Sequence, residues 1–141
     1  MRFWDSSAVI PLLIAEPRTR EVTALLRADR ESWIWWTTRT ECLSGLHRRA
    51  RAGEFDAAQL SKARERLLRF DQAASTILPS EAIRSRAERL LAVHPLRSAD
   101  ALQLAASLAA SEDRPAELPF VILDDRLAEA ARKEGFSVFP N

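Results

Sequence analysis

The chain has 141 residues, enough for one domain (1–141) whose core needs no cross-links. Its 47% hydrophobic and 29% charged residues are ordinary globular usage, and a net charge of +1 excludes bulk attraction to nucleic acid, leaving only local patches for that role. One cysteine, Cys42, excludes an internal disulfide and fits a reducing compartment, while two isolated histidines, His47 and His94, exclude the usual His/Cys zinc chemistry.

Met1 to Asp5 holds no basic leader followed by a signal-length apolar stretch, and the run Ala8 to Ala15 falls far short of a ~20-residue membrane span. The expectation is a soluble, cytoplasmic protein. Arg2 to Asp5 reads as a short buried strand ending at an acid. Ser6 to Ala15 reads as a helix through Val9, Ile10, Leu12, Leu13 and Ile14, with Pro11 assigned to its first turn and Pro17 closing it. Arg18 to Ala28 is helical by the spacing of Val22, Leu25 and Leu26. Trp33 to Thr37, dense in aromatic and β-branched residues, reads as the second strand.

A helix from Thr38 to Ala52, stopped by Gly53, is followed by an arginine-rich helix from Asp56 to Gln72. Ser75 to Leu78 reads as a strand, and Pro79 or Ser80 opens a helix to Val93. After the break at His94-Pro95, Ser98 to Ser111 is a strongly apolar helix and should be largely buried. Past a polar loop, Glu112 to Leu118, Pro119 to Leu123 is the clearest strand in the chain. A helix from Asp124 to Glu134 ends at Gly135, and Ser137 to Phe139 is a last strand. Strands alternating with crossover helices imply an α/β fold, with a mainly parallel sheet covered on both faces.

Three of these strands end at or just before an acid: Asp5, Glu41 and Asp124. Ligands of open parallel sheets sit at the carboxyl ends of the strands, so these acids should share one edge, with Asp100 directed into the same crevice. Each also has a purely structural reading. First-turn acids are stabilised by ~0.3–1 kcal/mol at the positive end of a helix. Thr38 to Glu41 fits a capping box, and Asp5 and Asp124 fit N-caps. Asp100 resists that reading best, because it sits in an otherwise apolar helix where a lone carboxylate is costly. Converging carboxylates raise one another's pKa unless a cation neutralises them, and oxygen-only ligands suit Mg²⁺ or Mn²⁺.

With these residues the sequence resembles PIN-domain nucleases, specifically the VapC-type toxins of bacterial toxin–antitoxin pairs, over nearly its whole length. The opening Asp5-Ser6-Ser7-Ala8-Val9 is similar to the family's Asp-Ser-Ser/Asn-apolar motif, and Thr40-Glu41-Cys42 to the region of its conserved Glu. Leu96 to Ala105, holding Asp100, is the most specific match. Phe120 to Leu127, with Ala130, Ala131 and Gly135 behind it, resembles the closing strand–acid–helix segment. The resemblance implies a metal-dependent endoribonuclease with Asp5, Glu41, Asp100 and Asp124 as metal-binding, catalytic acids and Ser7 as a polar neighbour. It also implies RNA as substrate, a homodimer and a cognate antitoxin. Asp125 is the alternative to Asp124, which is preferred because it directly follows the strand. The family often has Thr or Ser two positions before the last acid, where this chain has Ile122.

Other features have two readings each. Trp33, Trp35 and Trp36 fill the core or a subunit interface, or stack unpaired bases. Arg39, Arg48, Arg49 and Arg51 contact phosphates or form a solvated face. Arg97, three residues before Asp100, orients it or binds substrate. His47 and His94 read as surface or capping residues, and Cys42 as a small buried hydrophobe. A phospho-accepting receiver or phosphohydrolase is disfavoured, since only Lys133 lies near the last strands and no Asp-x-Asp follows the first. The remaining alternative is a catalytically inactive PIN-fold module that binds RNA or protein.

Overall fold

Apolar residues run almost without break along the short strands of this chain, and their side chains point alternately to the two faces, which builds two cores on one sheet. The computed structural model describes all of residues 1–141. In chain order the strands are β1 (Arg2–Trp4), β2 (Ser32–Trp35), β3 (Ser75–Ile77), β4 (Phe120–Val121) and β5 (Val138–Phe139). The helices are α1 (Ser6–Leu13), α2 (Thr19–Ala28), α3 (Thr38–Arg51), α4 (Ala57–Ala73), α5 (Glu81–Val93), α6 (Ser98–Ala110) and α7 (Asp125–Lys133). All strand pairs are parallel, in the order β3-β2-β1-β4-β5.

Phe3, Trp35, Phe120, Ile122 and Val138 face the layer of α5, α6 and α7. Their neighbours Trp4, Ile34 and Val121 face the layer of α1 to α4. A period of two therefore feeds both cores from the same strands. Phe120 lies at the centre of the first core, edge-on to Phe3 at 5.0 Å and to Phe136 at 5.4 Å.

Strand order reverses between β1 and β4. The chain leaves β1 toward β2 and β3, then returns to lay β4 and β5 on the other side. Such a reversal opens a crevice at the carboxyl ends of the two central strands. Asp5 follows β1 directly and Asp124 follows β4 by three residues.

Several element bounds differ from the sequence expectation. α1 ends at Leu13 rather than Ala15, and Pro11 lies in its second turn, where it removes a helical hydrogen bond. β2 starts at Ser32 and ends at Trp35; Trp36 and Thr37 form the turn into α3. β4 keeps only Phe120 and Val121 of the expected Pro119 to Leu123. Its ladder runs out on both sides, because β1 gives way to α1 after Trp4 and β5 gives way to Pro140, which has no N–H. The helix stops were legible: Gly53 and Gly135 adopt φ of 78° and 100°, open only to a residue without Cβ strain.

The tryptophans divide. Trp35 is buried and Trp33 half-buried, whereas Trp36 is 57% exposed. Arg39 pairs with Asp71, and Arg49 with Glu16 and Glu54, which leaves Arg48 and Arg51 as the unpaired members of that group. His94 is the C-cap of α5, but its ring is buried rather than on the surface, 2.7 Å from Glu134 at the end of α7. No helix is long and apolar enough to cross a membrane.

Candidate active site

Asp5 terminates β1 and caps α1. Its backbone N–H donates to Val121 O at 3.0 Å, locking it to β4, and its Oδ2 accepts from the Ser7 N–H at 2.9 Å. The Ser7 hydroxyl also donates to Oδ2 and accepts from the amides of Leu123 at 2.9 Å and Asp124 at 3.2 Å. One serine thus ties the end of β1 to the loop after β4. Asp5 is only 3% exposed. Burial pushes its carboxyl up to about 7, helped by the charges of Glu41 and Asp100 and opposed by the Ser7 hydrogen bonds.

Glu41 lies in the first turn of α3, but it does not close a capping box. Thr37 holds the N-cap position with no side-chain capping bond, and Glu41 instead turns toward α6. Its Oε2 accepts from Gln103 Nε2 at 2.6 Å, and its Oε1 lies 3.4 Å from Thr37 Oγ1. Burial raises its pKa, Asp100 adds to this, and the bonds from Gln103, Ser6 and Thr37 pull it down.

Asp100 is half-buried in the first turn of α6. Burial raises its pKa and the charge of Asp124 adds to it, while Arg97 and Arg126 lower it. Asp124 is exposed and caps α7, its Oδ1 accepting from Leu127 N–H at 2.8 Å. Asp100 therefore interacts with all three other acids. Asp125 acts electrostatically on Arg18. Asp100, Asp124 and Asp125 line a cleft of about 710 Å³ with Arg97 and Arg126.

Two contributors escaped the sequence reading. Gln103 is 1% exposed, bonds Thr38 Oγ1 at 3.1 Å as well as Glu41, and keeps its Oε1 unpartnered. Its signal was a polar residue three positions after Asp100 on an apolar helix, a spacing that places both on one face. Arg126 was legible only as part of a family-like segment. Ile122 packs into the core against α5 to α7, so it does not border the cleft. Burial pushes the Cys42 thiol far up, which leaves it an inert core residue.

The donor set tests well against a hard divalent cation. All four groups are carboxylates, and three have pKa values raised chiefly by burial, with the charge of a neighbouring acid adding to each. No three acidic, histidine or cysteine side chains are gathered tightly enough to coordinate one ion directly. Magnesium commonly takes only one or two carboxylates and keeps several waters, so a looser set still fits it.

The family model of the PIN domain matches residues 2–133. No curated protein matches the sequence. Among solved structures, the chain is similar to a toxin–antitoxin complex from Klebsiella pneumoniae, at 20% identity and a TM-score of 0.67, covering 99% of this chain and 97% of that one. It is also similar to FitAcB from Neisseria gonorrhoeae, at 17% identity and a TM-score of 0.68, with 99% and 97% covered. At these identities the likeness shows the fold.

Proposed function

The chain belongs to the PIN domain family, and on that premise we propose that it is a Mg²⁺- or Mn²⁺-dependent endoribonuclease, the toxin of a VapC-type toxin–antitoxin pair. The observation that carries this reading is Asp5, a buried carboxyl whose pKa rises to about 7 beside Glu41 and Asp100. A fold tolerates such unrelieved charge where a cation is meant to relieve it. In this reading residues 1–141 form one PIN domain.

One or two of Asp5, Glu41, Asp100 and Asp124 would hold the ion directly and the others through its waters. When bound, it supplies a Lewis acid for the phosphodiester and a water acidic enough to act as nucleophile near neutral pH. Ser7 fixes Asp5 against the Asp124 loop, and Gln103 fixes Glu41, so that the acids lose little freedom on binding. Arg97 and Arg126 at the cleft mouth receive the RNA phosphates, their guanidinium forks matching non-bridging oxygens.

The toxin–antitoxin complex among the similar structures supports a cognate antitoxin as partner. The exposed Trp36 and Leu78, adjacent at the ends of paired β2 and β3, offer an apolar patch for a homodimer.

The test is incubation of total RNA with the purified, partner-free protein and Mg²⁺ or Mn²⁺, beside EDTA and Asp100→Asn. Discrete fragments that vanish in both controls are expected. Folded protein that cuts nothing with either metal would replace this reading with the inactive binding module.

A further inference from the structure

Helix α3 carries Glu41 in its first turn and runs back from the carboxyl edge of the sheet for 14 residues. Its inner side packs on α1 and α4 and buries Thr38, Cys42, Gly45 and Leu46. Ser44, Arg48 and Arg51 are exposed on the outer side. Arg48 follows Glu41 by two helical turns and so returns to nearly the same face, and Arg51 lies one turn further. At ~1.5 Å of rise per residue the two arginines stand about 10 Å and 15 Å along the axis from Glu41.

Arginines without an ion partner are common on this chain, and that property alone selects nothing. Register and sign do. Arg49, between the two, pairs with Glu16 and Glu54. Arg48 and Arg51 have no carboxylate within ion-pair distance. From Cys42 to Arg51 the helix holds no acid, and the next two are committed, Glu54 to Arg49 and Asp56 to the cap of α4. The outer face of α3 is therefore cationic up to Glu41, where the acid site begins. In the opposite helical layer, Arg97 and Arg126 line the cleft. The four carboxylates thus lie between two pairs of arginines, one from each layer. An anion that meets both pairs must be a polymer with repeated charges.

We infer that the RNA strand leaving the acid cleft lies along the outer face of α3, with Arg48 and Arg51 each holding one of its phosphates. This rests on the nuclease reading of the acid site and adds to it a course and a minimum length for the substrate. At the ~3.4 Å per phosphate of a stacked strand, the two contacts fall about three to five phosphates from the cut. Guanidinium forks suit such phosphates, and contacts of this kind set affinity and position rather than sequence. Cations in the last turn of a helix also steady it through its dipole, a role that leaves the salt dependence of RNA binding untouched.

The experiment is anisotropy binding of a labelled single-stranded RNA of mixed sequence, about twelve nucleotides long, to the whole protein carrying Asp100→Asn. It is run in Mg²⁺ over a salt series. Each lost phosphate contact lowers the slope of log affinity against log salt by about 0.7. Arg48→Ala and Arg51→Ala should each do so, and the pair together by about 1.4. Arg48→Lys and Arg51→Lys should keep the slope, because the charge remains. Adding Arg97→Ala to the double alanine variant should lower it further in the same one-to-one complex, since one strand meets both arginine pairs. Arg20→Ala and Arg132→Ala, at exposed arginines elsewhere that also lack an ion partner, should leave it unmoved. The inference is overturned by an unmoved slope in the double alanine variant, by an equal fall in Arg20→Ala and Arg132→Ala, or by no binding of the RNA. Cleavage of total RNA by wild type judges the nuclease reading separately. Cutting with an unmoved slope removes the α3 track alone, and a lowered slope without cutting keeps the strand-binding face and removes the chemistry.

Discussion

Gln103 on α6 donates from Nε2 to Glu41 Oε2 on α3 across 2.6 Å, joining the two helical layers over the carboxyl edge of the sheet. The bond orients the Glu41 carboxylate and opposes the upward push that burial gives its pKa. Gln103→Met keeps the bulk and removes the donor. Loss of a hydrogen bond behind a metal ligand typically costs 10–100-fold in affinity or activity. The expected outcome is a Mg²⁺ dependence of RNA cleavage displaced by about that factor, with the circular dichroism of the folded protein retained. An unmoved Mg²⁺ midpoint would reduce Gln103 to a packing role.

Asp5 gives a pH dependence whose sign follows from its raised pKa. The ordinary carboxyl value is 3.8 and the folded value about 7, so between these the folded state binds the proton more tightly than the unfolded chain does. Without metal, stability from this group is present at low pH and is lost as pH rises through 7. The difference is at most on the order of 4 kcal/mol. Urea unfolding in EDTA should therefore show wild type losing stability between about pH 4 and 7, and levelling off above that, relative to Asp5→Asn, which cannot ionise. Added Mg²⁺ should restore much of the loss at pH 8 in wild type alone. Parallel pH profiles for the two proteins would contradict the burial assigned to Asp5.

The fold was readable because its signals are local. Gly53 and Gly135 stop helices, Ser80 caps α5, and unbroken runs of aromatic and β-branched residues mark β1 and β2. Asp100 stood out because a charge in an apolar helix has few structural uses. Glu41 was harder, since Thr38 to Glu41 spells a capping box as well as a ligand position. The structure removes the capping box, because Glu41 turns to Gln103, 62 residues away, which no local pattern announces. The bounds of β4 were illegible for a related reason: strand length is set by where neighbours stop pairing, which the residues of β4 do not encode.

Gly45 is buried where α3 meets α1, and a Cβ built there would come 3.0 Å from Ile10 Cδ1. Gly45→Ala gains ~1 kcal/mol of helix propensity and meets a side-chain tip that can shift, so its net change should stay within about 1 kcal/mol. Gly45→Leu has no room, and overpacking of this kind costs ~1–3 kcal/mol. It should lower the urea midpoint and also activity, because α1 and α3 carry Asp5 and Glu41. Equal stability of the two variants would mean that the α1–α3 contact is looser than it is placed.

Arg97 and Arg126 line the acid cleft, and both lower the pKa of Asp100, so their charge reaches that carboxylate. Neither forms an ion pair, which leaves both available to phosphate. Each phosphate contact on a single strand contributes about 0.7 to the slope of log affinity against log salt. In the proposed reading Asp100→Asn holds RNA without cutting it, so its binding of a single-stranded oligoribonucleotide should show that slope fall by about 0.7 when Arg97→Ala is added. Adding Arg126→Ala as well should lower it by a similar amount again. A pure positioning role for Arg97 on Asp100 predicts the opposite pattern, with turnover reduced at an unchanged salt slope. The two readings of Arg97 thus separate on one titration series.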